Sequence, residues 1–210
     1  MIPAPDSVYK CPKCDEFFKN RNLLSGNTCG AILYSDGKQN APMLPEFPNL
    51  TKCEKCDSIF WLSDLKEIGE IDCWGEESNN KEWANAPYAE FLNIKDLFRA
   101  LDENKDDKKV VYIQLMIWRT FNDRVRQNNN LFIDESEKNL WIENCNSLIK
   151  LLDKNDVNEQ IMIAELYRNL GQFENCMEII DSLSNDFDWL KSQFKEECRK
   201  QNQLVFCLKR

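Results

Sequence analysis

The apolar residues of this chain follow two different rhythms. Up to about residue 65 they come as short clusters: Val8-Tyr9, Phe17-Phe18, Leu23-Leu24, Ala31-Ile32-Leu33-Tyr34 and Ile59-Phe60-Trp61-Leu62. Phe17-Phe18 and Leu23-Leu24 are expected to supply apolar groups around a turn, while the other clusters, bounded by Gly, Pro, Asn, Asp and Ser, predict short strands. Residues 8–10, 31–34 and 58–62 are expected as strands, Ser25-Gly26-Asn27 as a turn, and Ser35-Asp36-Gly37-Lys38 as a tight hairpin turn. Pro3 and Pro5 make the first residues an extended lead-in. Pro42, Pro45 and Pro48 recur at every third position and predict a polyproline-like segment. It is expected to cover the β core with Met43, Leu44 and Phe47; the other reading is a ligand for a proline-reading domain.

From residue 88 the spacing changes to three and four. Phe91, Leu92, Ile94, Leu97, Phe98 and Leu101 predict a helix that the polar run 102–107 breaks. Val110-Val111-Tyr112-Ile113 looks strand-like alone, but Ile113, Ile117, Phe121 and Val125 repeat every four residues, so 108–127 is expected as a helix. Its first half is nearly all apolar, which predicts a central, buried position. After the loop at Asn128-Asn129-Asn130, Asp134 or Ser136 is placed to cap a helix reaching about Leu152, with Leu140, Trp141, Cys145 and Leu148 inward. Further helices are predicted at about 157–170, 173–184 and 187–201, and Leu204–Leu208 as a terminal strand or extended tail. The fold class is therefore α+β: a small β module at 1–75, a polar linker at 76–87, and a helical domain at 88–210. Cys73, Trp74 and Trp83 lie near the boundary and lead us to expect that the two halves pack together.

Chemistry enters with the cysteines. Cys11-Pro12-Lys13-Cys14 and Cys53-Glu54-Lys55-Cys56 each set two residues between their thiols. Two such pairs can close a tetrahedral four-thiolate site, for which zinc is the usual occupant. Asp15 and Asp57 follow the pairs, where a knuckle needs a left-handed backbone that Asp tolerates better than most residues. Lys10, Lys13, Lys52 and Lys55 flank the ligands; they either offset the −2 charge of a zinc tetrathiolate or are simply exposed. Cys29 and Cys73 have no partner at this spacing, and read as small apolar residues, free thiols or a fifth candidate ligand.

Composition narrows the function. The chain has 210 residues, 42% of them hydrophobic and 30% charged, which is the balance of a soluble globular protein. No apolar run reaches the roughly 18 residues of a membrane span. Met1–Lys10 has neither a basic leader nor an apolar core, so no secretory signal is expected and a cytoplasmic location is. The ten cysteines are then mostly reduced thiols or ligands rather than a disulfide framework. There is no histidine, which removes Cys-His zinc sites and every His-dependent triad or proton shuttle. The net charge of −9 disfavours general nucleic-acid binding. The exception is a basic stretch with Arg119, Arg124 and Arg126. Arg119, Asn122, Asp123 and Arg126 read either as a polar groove or as groups that pair with acidic neighbours and cap the helix.

Several resemblances rest on these residues. Residues 158–184 resemble a tetratricopeptide repeat through Ile163-Ala164, Tyr167, Leu170-Gly171 and Phe173, with Cys176 where that family usually has alanine. The chain departs from the family at Gln160, Leu183 and Asp188. One repeat cannot cover its own face, so the helices at about 136–152 and 187–201 are expected to flank it. Residues 8–65 resemble a zinc ribbon, and the two-knuckle layout is also similar to rubredoxins, which bind iron. The whole arrangement resembles a group of uncharacterised bacterial proteins, which implies no known activity.

The reading that follows is a non-catalytic, zinc-stabilised protein-interaction module. Its metal ligands are Cys11, Cys14, Cys53 and Cys56, and Arg119, Arg126 and Arg168 are candidates for contacting an acidic protein partner. The alternatives are a rubredoxin-like redox or thiol protein and a nucleic-acid-binding ribbon using the flanking lysines with Tyr9, Phe60 and Trp61. Glu76, Glu77, Asp106 and Asp107 lie in polar runs and read as solvated rather than catalytic.

Overall fold

The structure, a computed structural model, describes residues 1–72 and 81–209. Cys73, Trp74, Glu76 and Glu77 lie outside the described residues. The chain is α+β. Its strands are β1 (Ile2–Lys10), β2 (Phe17–Ser25), β3 (Ile32–Tyr34), β4 (Gln39–Asn40), β5 (Leu50–Lys52), β6 (Ile59–Trp61), β7 (Gly69–Ile71) and β8 (Cys207–Leu208). The helices are α1 (Lys81–Asn85), α2 (Ile94–Glu103), α3 (Asp107–Arg126), α4 (Glu135–Leu151), α5 (Val157–Asn169), α6 (Phe173–Ser182) and α7 (Asp188–Arg199). Contacts group the chain into two compact units, one of residues 1–31 and 41–96, the other of 32–40 and 97–210.

In the first unit β1 sits between β2 and β7, antiparallel to both, while β5 and β6 form a separate hairpin. β1 starts earlier than the sequence predicts. The ladder tolerates Pro5 because the register shifts between Ala4 and Ser7, and Asn22 Nδ2 donates to the Pro5 carbonyl at 3.0 Å. Phe18 and Phe60 meet at 5.2 Å in the core, with Tyr9, Leu62 and Leu65 around them. The segment before α2 is not helical, contrary to the expectation from Phe91 and Leu92. Lys19 and residues 87–89 exchange backbone bonds of 2.8 and 2.7 Å, and Thr51 Oγ1 donates to the Glu90 carbonyl at 2.9 Å. Asn93 then starts the helix by accepting from the Asp96 amide at 2.9 Å. Met43 and Leu44 do not cover the core as expected; both are exposed, and of that segment Phe47 is half-buried and Pro48 buried.

The second unit takes one piece from the middle of the cysteine-rich half. The predicted hairpin forms: Gly37 adopts φ +74°, and Tyr34 and Lys38 close the turn at 2.9 Å. β8 adds to the other edge of β3 through Leu33–Leu208 and Tyr34–Cys207, which realises the terminal-strand alternative. Asp106, Asp134 and Asp156 each cap a helix by accepting from the amide three residues on. α3 is central as predicted, with Ile113, Ile117, Trp118 and Phe121 all at 0% exposure. Gly171, at φ +76°, ends the α5 turn and reverses the chain into α6. Ala164 and Cys176 let these helices approach, and Ile180, Leu190, Phe194 and Cys198 from α6 and α7 complete that core. α7 covers the open face of the α5–α6 hairpin.

Candidate metal centre

The four cysteines converge on the turn ends of two hairpins. Cys11–Cys14 joins β1 to β2, and Cys53–Cys56 joins β5 to β6. Each knuckle has the same backbone wiring. The Cys11 amide donates to the Glu16 carbonyl at 2.8 Å and the Asp15 amide to the Cys11 carbonyl at 3.0 Å. The Cys53 amide likewise donates to the Ser58 carbonyl and the Asp57 amide to the Cys53 carbonyl, both at 2.9 Å. The geometry requires a positive φ after each pair, and Asp15 and Asp57 supply 58° and 60°.

The sulfurs fit a metal. All four lie within 4.8 Å of one another. Cys11 and Cys56 Sγ are 3.5 Å apart, and Cys14 and Cys53 Sγ 3.6 Å. Four sulfurs at about 2.3 Å from one tetrahedral zinc would be about 3.8 Å apart. The first cysteine of each pair, Cys11 and Cys53, is buried, while Cys14 and Cys56 are half-buried. The Lys13 amide points at Cys11 Sγ from 3.5 Å, as a knuckle amide does toward a ligand.

Ser58 is a participant that spacing alone did not reveal. Its hydroxyl lies 3.0 Å from Cys56 Sγ and 3.5 Å from Cys11 Sγ. That hydroxyl is the main reason the Cys56 thiol is pulled down to about 6. At Cys14 the Glu16 amide works downward, but burial and the other three sulfurs prevail and push the thiol up to about 12. A divalent cation bound between the four sulfurs would hold all of them as thiolates.

Three of the four flanking lysines form specific contacts, and Lys13 is exposed. Lys52 bridges Asp57 at 3.1 Å and Asp96 at 2.8 Å, Lys55 pairs with Glu16 at 2.5 Å, and Lys10 sits 5.0 Å over the Phe17 ring. Cys29 is exposed rather than buried, since Asn27 Oδ1 accepts its amide at 2.9 Å in a surface turn. It stands apart from the four-sulfur cluster.

The three arginines named as partner contacts turn inward. Arg168 is fully buried; its Nε donates to Glu165 Oε2 at 2.8 Å and its Nη2 to Glu165 Oε1 at 2.5 Å and the Leu204 carbonyl at 2.8 Å. Arg126 pairs with Asp36 and, at 2.7 Å, with Asp123. Arg119 reaches the Asp36 carbonyl at 3.3 Å. Burying unpaired charge is costly, so these arginines exist here because Asp36 and Glu165, both at 0% exposure, oppose them. Burial pushes the Glu165 carboxyl up, against the opposing pull of Arg168. Ser35, Asn122, Asn169 and Trp118 complete the network: Ser35 Oγ donates to Glu165 at 2.7 Å, Asn122 to Asp36 at 2.9 Å, and Trp118 Nε1 to Asn169 at 2.9 Å.

No family model matches this chain, and no curated protein or solved structure matches it either.

Proposed function

We propose that the chain is a non-catalytic, zinc-stabilised protein-interaction module. The observation that carries this reading is the convergence of four sulfurs from two identically wired knuckles. Four protein thiolates fill a tetrahedral zinc and leave no position for water or substrate, which is the arrangement of a structural site. The buried carboxylates Asp36 and Glu165 support a non-catalytic role, because both are held by arginine and amide donors inside the helical unit. The partner is a protein, in keeping with the similarity of the α5–α6 hairpin to a helical repeat. With Arg126 and Arg168 turned inward, binding rests on other surfaces of the helices.

The test is metal content per chain, by elemental analysis with an absorption spectrum, on protein purified without chelator. One colourless zinc, lost in Cys53→Ser, supports the reading. One iron with a visible thiolate band replaces it with the rubredoxin-like alternative. Metal-free protein with four reactive thiols refutes both. Turnover of a substrate by the purified protein refutes the non-catalytic role.

A further inference from the structure

A second pair of cysteines lies in the helical unit. Cys176 on α6 and Cys198 on α7 face each other across the helix pair, with sulfurs 3.6 Å apart. Cys176 is at 0% exposure and Cys198 at 4%, and both are free thiols. They differ in access. Cys198 lines an open cleft of about 580 Å³, together with Gly171, Phe173, Arg199 and Gln201, while Cys176 lies behind it in the core. The cleft opens at the first turn of α6, which has no side-chain cap. Its amide ends favour negative charge.

We propose that Cys176 and Cys198 form a peroxide-sensitive dithiol, separate from the four-cysteine cluster, which closes to a disulfide joining α6 to α7. The chemistry balances with hydrogen peroxide as the oxidant. The Cys198 thiolate attacks one peroxide oxygen, the O–O bond breaks, and the departing hydroxide takes a proton to become water. Cys198 is then a sulfenic acid. The Cys176 sulfur attacks the Cys198 sulfur, the S–OH bond breaks, and the hydroxide leaves with the Cys176 proton as a second water. Two thiols have lost two electrons and peroxide has gained them. A disulfide needs its sulfurs at about 2.05 Å, so the pair must close by about 1.5 Å.

The order of attack follows from the surroundings. The hydrogen bond with Cys176 lowers the Cys198 thiol against the opposing effect of burial; the Arg168 guanidinium adds to the lowering, and Glu165 and Glu197 oppose it. The same hydrogen bond, with burial, raises Cys176. The sulfur with the lowered thiol is thus the one that lines the cleft, which places it first in the order of attack. Cys145 is the internal contrast: it is as buried as Cys176, and burial alone pushes its thiol well up.

The test is peptide mapping. The full chain, purified without chelator, is treated with a small excess of hydrogen peroxide, quenched with an alkylating agent, digested and analysed by mass spectrometry. The expected product is a linked Cys176–Cys198 peptide two hydrogens lighter, which dithiothreitol reverts. It should form at least roughly ten-fold faster than any oxidation of Cys145. Recovery of both cysteines as free thiols, while exposed Cys29 or Cys207 oxidises, would overturn the proposal. In Cys176→Ala, where the small side chain keeps the helix approach, a dimedone adduct on Cys198 is expected. In Cys198→Ala, Cys176 should stay unmodified, and the reverse pattern refutes the assigned order. The wild-type mapping decides the existence of the disulfide even if a variant fails to fold.

Discussion

Asp36 and Arg126, ninety residues apart, form an ion pair inside the helical unit, with the carboxylate at 0% and the guanidinium at 5% side-chain exposure. The pair explains why a nine-residue piece of the cysteine-rich half belongs to the helices. Asp36 stands at the hairpin turn between β3 and β4, and its other carboxylate contacts are Asn122 at 2.9 Å and the Lys38 amide at 3.1 Å. Arg126 also lies 4.5 Å from the Tyr34 ring, so cation and aromatic pack together.

Arg126→Met should therefore be far more damaging than a surface substitution. It leaves the Asp36 carboxylate buried without its cation, which costs about 3–5 kcal/mol. Amide exchange should rise at 32–40 and along α3. Adding Asp36→Asn removes the stranded charge, so the double variant should recover part of the loss. A double variant as unstable as the sum of the two single variants would refute the coupling.

The backbone after each cysteine pair makes a separate test. Asp15 holds φ 58°, a region where a β-branched side chain costs about 1–2 kcal/mol. Asp15→Gly should retain the bound metal against a chelator, and Asp15→Val should release it faster. Equal release from both variants would mean that the knuckle does not depend on this residue's conformation.

Arg124 and Glu137 give a pH-dependent contribution. Arg124 holds Glu137 below the usual carboxylate range through bonds of 2.6 and 2.9 Å, outweighing burial. A carboxyl whose pKa is depressed by folding stabilises the fold above its unfolded pKa and loses that effect as pH falls through the folded one. Arg124→Gln should cost about 1 kcal/mol at pH 7, since both side chains are partly exposed. The variant and the parent should converge once pH drops below the folded pKa of Glu137. A difference that persists in strong acid would assign the loss to packing against Phe121, whose ring lies 5.1 Å from the Arg124 guanidinium.

Much of this architecture was legible because it rests on local rules. The three- and four-residue apolar spacing predicts α3 to α7 closely, and Asp134, Gly37 and Gly171 mark a cap and two turns by their own chemistry. The cysteine pairs are legible because ligand spacing is a short-range property. What escaped is long-range. Nothing near Asp36 announces that its partners lie on α3, and nothing near Arg168 announces Glu165 as a fully buried counterion rather than a solvated neighbour. The same holds for Ser58, whose hydroxyl acts on a sulfur of the other knuckle as well as its own. Arg168 looked like a surface cation because charge alone does not record burial, whereas pairing of Arg126 with acidic groups was one of its two readings. The exposed Met43 and Leu44 looked like core residues for the corresponding reason.

The assignment of residues 32–40 to the helical unit sharpens what loss of the metal should do. Metal binding supplies folding energy to small β modules. In Cys53→Ser the site loses a ligand that is 7% exposed and packed against the Phe18–Phe60 core. Protection should collapse in β1, β2, β5 and β6, whose turns a metal at the four cysteines would tie together. The β3–β4 hairpin lies between these strands in sequence, yet Glu165, Asn122 and Arg126 hold it through Ser35 and Asp36. It should therefore keep the exchange rates of α3 and α5. Hydrogen exchange with peptide-level mass spectrometry reads both regions in one experiment. Loss of protection at 32–40 together with β1 and β2 would show that the hairpin follows its neighbours in sequence rather than its partners in space. Retained metal with unchanged protection throughout would refute Cys53 as a ligand.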